Sequence, residues 1–218
     1  MNLPAGKTLY AGIDEAGRGC VIGPLVVAIV AAEPKDRAWF ALQRVRDSKL
    51  MEAGRRDDLA KRIRERCWHA LLIAEPHEID DALYDPGRSL NELEMEMMIA
   101  LMRHFQSAHA DRPARILADA ISSNANAIRE RFVIGSHGID AHRIDARHKA
   151  DRDDRTVAAA SIIAKAERER LIEIIKNDVG HDFGSGYSHD ERTRDFLKTC
   201  APDAPYVRWS WKTARDSR

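Results

Sequence analysis

The sequence predicts an α/β fold: one layered domain of sheet and helices, followed by a carboxyl-terminal helical extension. Three features carry that prediction. Short apolar runs alternate with longer segments of helical period over residues 1–178. The run LVVAIVAA at residues 25–32 is apolar throughout, as a strand buried on both faces must be. Residues 179–218 then change character, to glycine, proline, tryptophan and short elements. With 218 residues, 44% apolar and 32% charged, the chain can enclose a core of its own, which excludes disorder as its main state.

Taken in order, TLYAGID (8–14) and LVVAIVAA (25–32) read as strands joined by a glycine-rich turn. Residues 55–69 read as a helix with a charged face, and 70–74 as a short strand. SLNELEMEMMIALMRHF reads as a strong helix, with Ser89 and Glu92 at capping-box spacing and Leu93, Met97, Leu101 and Phe105 on one stripe. ARILAD (114–119) is a strand running into an acid, and IDAHRID (139–145) a weaker, polar one. TVAAASIIAKAERERLIEIIK makes a long helix, and its run of small residues, Ala158 to Ser161, permits close approach to a sheet. No internal repeat or low-complexity linker divides the chain.

Composition also narrows function. No apolar run approaches the roughly 20 residues needed to span a bilayer. The amino terminus MNLPAGKTLY lacks the order of a signal peptide, so a cytoplasmic location is expected. Cys20, Cys67 and Cys200 are odd in number and far apart, with no CxxC pair, and read as reduced thiols. Net charge is zero, yet residues 35–66 carry 11 Lys and Arg against 6 Asp and Glu, while residues 75–96 carry 8 acids against Arg88 alone. Basic segments in a neutral chain suit a polyanion lying across one face, or simply solvated helix faces.

The stretch GIDEAGRGCVIG (12–23) sets two adjacent carboxylates, Asp14 and Glu15, beside Gly17, Arg18 and Gly19. A dinucleotide-binding turn should open a helix, whereas Pro24 and a β-branched run follow here, so a tight connection between strands is the better reading. Carboxylates at strand ends are costly unless they meet a cation or water. Asp14 and Asp119 both end strands, and hard oxygen donors without clustered Cys or His suit magnesium or manganese rather than zinc. Adjacent residues on a regular strand point to opposite faces, so Asp14 and Glu15 share a site only if the strand bends. The dipeptide alone leaves open a turn cap and a solvent residue. In HKADRDDRTVAAASIIAK, His148, Lys149 and Asp151 precede a helix whose positive end favours an ionised carboxylate or a phosphate. His148 fits a proton relay or a turn, and Asp153 and Asp154 fit helix-start charges.

Together these stretches resemble type 2 ribonuclease H, ribonuclease HII, and its archaeal form in particular. GIDEAGRGCVIGP is similar to the family's GIDEAGRGPVIGP, RDSKL to RDSKKL, and SLNELEME to TLNEFEVE. ILADA, HKAD, AASIIAK, GSGYSHDERTRDFL and RWSWKT also match in order and spacing, so the resemblance covers nearly the whole chain. It implies a ribonuclease H-like mixed central sheet flanked by helices (1–178), with 179–218 as a substrate-binding helical extension. Catalysis and metal binding fall on Asp14, Glu15, Asp119 and Asp151. The Gly-Arg-Gly that reads a ribose 2′-hydroxyl falls on Gly17, Arg18 and Gly19, and the junction-stacking tyrosine on Tyr187. Ser48, Lys49 and Lys149 become further substrate contacts.

The resemblance implies an endonuclease that uses two Mg2+ or Mn2+ ions. Its substrates would be the RNA strand of RNA/DNA hybrids and ribonucleotides embedded in duplex DNA, and its products 3′-hydroxyl and 5′-phosphate ends. A hybrid-binding module that has lost catalysis is the other class to weigh, and the presence of all four acids counts against it. Three departures stand out: Cys20 where the family has proline, Met51 in place of a second lysine, and Glu169 for aspartate. The chain reaches Arg218 without the glutamine- and aromatic-containing tail by which archaeal members are thought to hold a sliding clamp. A monomer without a clamp tail and without membrane contact is expected.

Overall fold

The computed structural model describes residues 8–45, 51–121 and 124–218. Ser48 and Lys49 lie outside the described residues. Five strands form one mixed sheet in the order β3-β2-β1-β4-β5. β1 (Leu9–Ala16) and β2 (Leu25–Ala32) are antiparallel, as are β2 and β3 (Trp68–Ala74). β4 (Ala114–Asp119) runs parallel to β1, and β5 (Ile144–Arg147) parallel to β4. β2 is buried along its whole length because helices cover both faces of the sheet, which is why its sequence shows no alternation.

On one face pack α3 (Pro76–Tyr84), α4 (Leu90–Ala108) and α5 (Ala125–Gly135), enclosing Leu9, Ala11, Ile13, Met98, Phe105 and Phe132. The other face carries α1 (Pro34–Leu42), α2 (Ala53–Arg66) and the long α7 (Arg155–Val179), with Val26, Ala28, Phe40, Ile63 and Ile162 between them. The short α6 (Ala150–Asp153) precedes α7. α8 (Glu191–Leu197) and α9 (Lys212–Arg215) belong to the final segment, whose apolar residues close over Val21, Ile22 and Ile172.

Helices α1 and α3 have no apolar period long enough to announce them, yet each carries Pro at its first turn and a reciprocal capping box, Glu33 with Asp36 and Glu75 with Glu78. The predicted strand at 139–145 begins later, at Ile144, because the Asp140 side chain accepts from the His142 N–H and caps a 3-10 turn over 141–143. Residues 68 and 69 leave the predicted helix because Trp68 pairs with Ala31 on β2. Asp154 caps α7 by accepting from Thr156 and Val157 N–H. Asp151 lies inside α6 rather than ahead of a helix.

Four arginines of the basic segment tie elements of the fold together. Arg66 pairs with Asp36 of α1, Arg64 with Glu167 and Arg56 with Glu169 of α7, and Arg37 with Asp154. Glu169 thus anchors α2 to α7. The Met51 carbonyl accepts from Arg56 as well, and the Met51 side chain packs on the α7-side core.

α7 crosses β1 at Gly12, where an added Cβ would stand 2.3 Å from the backbone of Thr156 and Val157. Gly12→Ala should therefore cost about 1–3 kcal/mol by overpacking. Urea unfolding measures this directly, and a loss below about 0.5 kcal/mol would show that helix and strand can separate without penalty.

Candidate active site

The carboxyl ends of the parallel strands β1 and β4 lie side by side, the last ladder pair being Ile13 with Ala118. Asp14 and Asp119 are the next residues on each strand. Even-numbered β1 residues face α7 and odd-numbered ones face α4, so Asp14 and Glu15 leave opposite faces. The ladder with β2 nevertheless runs unbroken to Ala16, so no bend in pairing is needed. The two acids meet at the end of the sheet, where Asp14 Oδ1 accepts the Glu15 backbone N–H at 2.8 Å.

A cavity of about 660 Å3 opens there, lined by Asp14, Glu15, Gly17, Arg18, Gly19, Asp119, Asp151 and Tyr187, with Lys165, Arg168 and His189. All four predicted acids are therefore brought together. Asp119 Oδ1 accepts the Ala150 N–H at 2.8 Å, which fastens α6 to the end of β4 and sets Asp151 beside it. Lys149, immediately before, adopts a left-handed conformation (φ 59°), and its exposed side chain does not line the cavity.

Negative charge is crowded here. Burial, then the neighbouring Glu15 carboxylate, raises the Asp14 pKa well above the ordinary range. Burial and the adjacent Glu94 push Glu15 up to about 7, and burial raises Asp119. Ser161 hydrogen-bonds Asp14, and Lys165 Nζ lies 2.9 Å from Ser161 Oγ, so a cation reaches the acids through a hydroxyl.

Glu94 of α4 is a fifth acid that the sequence reading did not single out. It is fully buried; its Oε2 takes the Arg18 Nε at 2.7 Å, while its Oε1 has no partner among the described residues. Arg18 also bonds Asn91, so its guanidinium is turned toward α4. The sequence signals available were the matched SLNELEME stretch, which holds Asn91 and Glu94, and their spacing of three residues on one helix face. Lys165 ends the matched AASIIAK stretch, but its place near the acids depends on α7 lying over Asp14.

The two glycines differ in cause. Gly17 has φ +88°, and a Cβ there would meet Pro24 O at 2.6 Å and Arg168 Cδ at 2.7 Å, so packing within the protein already requires glycine. At Gly19 the nearest atom is Tyr187 Cε1, 4.0 Å away, so a side chain would project into open cavity. Tyr187 lies over the Arg168 guanidinium (5.0 Å), and burial, with Cys20 beside it, pushes its hydroxyl up to about 12. Cys20 forms a β-bridge with Tyr187 and donates its N–H to Gly17 O at 3.3 Å, a bond that proline at this position could not make.

The ribonuclease HII family model matches residues 11–214. The chain belongs to the ribonuclease HII family. A ribonuclease HII of Archaeoglobus fulgidus is 41% identical over 215 residues, covering 96% of this chain and 97% of that one. Among solved structures, the A. fulgidus PCNA:RNase HII complex matches with a TM-score of 0.83 at 39% identity, over 96% of each chain. The ribonuclease H2 of Pyrococcus horikoshii OT3 matches with a TM-score of 0.84 at 34% identity, also over 96% of each. Membership makes this chain a nuclease of the ribonuclease H kind, acting on RNA/DNA, with the mixed sheet of that fold. No helix among the described residues is long and apolar enough to cross a membrane.

The contrast between the glycines is testable. Gly17→Ala should lower Tm by several degrees, at about 2–4 °C per kcal/mol for a chain of this size. Gly19→Ala should leave Tm within about a degree of wild type yet lose most cleavage, since it adds bulk only to the cavity. Equal destabilisation by both would place Gly19 among the packing glycines.

Proposed function

We propose that Asp14, Glu15, Asp119 and Asp151 hold two divalent ions, Mg2+ or Mn2+, and that the enzyme cuts the RNA strand of RNA/DNA hybrids and 5′ of ribonucleotides embedded in duplex DNA. The products would carry 3′-hydroxyl and 5′-phosphate ends. The observation that carries this reading is the meeting of four acids in one cavity beside the backbone of Gly17 to Gly19. The donor set suits the ions: oxygen ligands only, with negative charge that burial leaves poorly compensated. As placed, no three His, Cys, Asp or Glu side chains among the described residues form a ready cage, so these acids would turn inward on loading. When bound, the ions would supply an activated water and charge neutralisation at the leaving 3′ oxygen.

The remaining work falls to the chain. The Gly19 backbone, unobstructed toward the cavity, is placed to touch a 2′-hydroxyl, the group that separates RNA from DNA. Tyr187 presents a ring that Arg168 holds from behind and that can stack on the sugar or base at the junction. Lys149, at the strained turn, and Lys49 and Ser48 are proposed phosphate contacts. Residues 179–218 are proposed as the extension that carries Tyr187 to the substrate.

Asp119→Asn keeps an acceptor for the Ala150 N–H but removes a ligand charge. Cleavage of a duplex with one embedded ribonucleotide should fall about a hundredfold or more while Tm holds. The wild type should leave the 2′-O-methyl analogue and all-DNA duplex uncut; cutting the 2′-O-methyl substrate equally would overturn the backbone reading of the hydroxyl.

Raised carboxylate pKa values favour the folded state while the acids are protonated, fully below their ordinary range of about 4. That contribution is lost as pH rises through the Glu15 value of about 7. In EDTA, Tm should fall between roughly pH 5 and 7.5, and Mg2+ or Mn2+ should raise it more at the higher pH, where the ions no longer compete with protons. An ion-induced shift independent of pH would separate binding from these acids.

A further inference from the structure

Ala114, Ile116 and Ala118 of β4 enter the core on the α4 side, so Arg115, Leu117 and Asp119 share the opposite face. On β5, Ile144 and Ala146 enter that same core, which puts Asp145 and Arg147 on the face of Asp119. α7 lies chiefly over β1 and β2, and the uncovered β4–β5 face opens into a second cavity of about 350 Å3. Five arginines line it: Arg37, Arg115, Arg129, Arg143 and Arg147.

Both lining acids are already engaged. Asp145 pairs with Arg147 at 2.8 Å, and Asp154 pairs with Arg37 at 3.0 Å while capping α7. Arg129 meets no carboxylate; its Nε and Nη2 donate to the carbonyls of Ile144 and Ala141 at 2.9 and 2.7 Å, which fixes the plane of its guanidinium. The side chains of Arg115 and Arg143 have no hydrogen-bond or ion-pair partner among the described residues. Three positive charges thus stand uncompensated around one cavity, and planar guanidinium forks match phosphate oxygens.

We propose that this cavity is a phosphate-binding site, a second anchor for the nucleic-acid backbone set off along β4 from the catalytic acids. It rests on the reading of the first cavity as acting on nucleic acid. Arg147, which lines this cavity, pairs in register with Asp119, which lines the first. Arg115 lies four residues back on the same face, about 13 Å along the strand. A duplex strand carries a phosphate every 3.4 Å or so of its axis, so a strand engaged at Asp119 has several within that span.

The test uses the double variant Arg115→Gln/Arg143→Gln, whose side chains anchor nothing in the fold, with Tm as the check. Binding of a duplex with one embedded ribonucleotide is measured in EDTA from about 50 to 200 mM KCl. The log–log salt slope should become shallower by about two and affinity should fall, with kcat at saturating substrate unchanged. In parallel, inorganic phosphate is titrated into the wild type while the Nε–H resonances of Arg115 and Arg143 are followed by NMR. An unchanged slope overturns the backbone anchor. If phosphate then still saturates those resonances, the cavity belongs to a free anion. Should the wild type fail to cut the ribonucleotide duplex at all, the catalytic reading fails, while the salt slope still judges this cavity independently.

Discussion

The fully buried Arg208 donates to three carbonyls of the turn after β1: Nη2 to Gly17 at 2.8 Å, Nη1 to Arg18 at 3.1 Å and Nε to Gly23 at 2.9 Å. A guanidinium without a carboxylate partner is expensive to bury, and burial lowers its pKa to about 10, yet it remains charged. Its five donors in a rigid fork suit a ring of converging carbonyls, which lysine could not satisfy. Among the residues that line the first cavity, Gly17 and Arg18 are held by this contact. It holds the turn rigid, turns the Gly17 and Gly19 backbone toward the cavity, and ties the final segment to the end of β1.

Around that guanidinium the final segment is stitched to the turn by two isolated β-bridges and single backbone bonds. Val21 and Ile22 donate to Gly186 O, Gly23 to Tyr206 O, and Arg208 N–H returns to Val21 O. Asp80 of α3 accepts from the backbone N–H groups of Trp209 and Ser210 and holds the same segment from the other side. Tyr187 reaches the cavity because these bonds leave it no other place. The residues that would meet substrate therefore come from both ends of the chain, and neither end forms the cavity without the other.

The acids obey a second constraint. At the end of a parallel pair the ladder stops, and side chains from either face can turn around the edge, so Asp14 and Glu15 meet despite opposite orientations. Burial first, and crowding after it, raises their pKa values and stores electrostatic cost at the site. Elsewhere charge is spent on structure: the acidic segment 75–96 supplies a capping box and the Asp80 clamp, and arginines of the basic segment pin α1 and α2 to α7.

By itself the sequence determined the strands at 25–32 and 114–119, the two long helices, and the acids at strand ends, because hydrophobic period and hard-oxygen chemistry are local properties. Its motifs named the family, since so many in one order leave little room for coincidence. It could not separate Gly17 from Gly19, because the difference lies in whether Arg168 and Pro24, or open space, stand opposite an absent Cβ. It assigned no role to Glu94, Lys165 and Arg208 although each lies in a matched stretch, and it read the basic segment that holds arginines 56, 64 and 66 as a polyanion-binding or solvated face. For Glu94, Arg208 and these arginines the partner is fixed by packing between elements distant in the chain, and Lys165, bonded to Ser161 on its own helix, nears the acids only because α7 lies over β1; only the tertiary structure decides which charges meet.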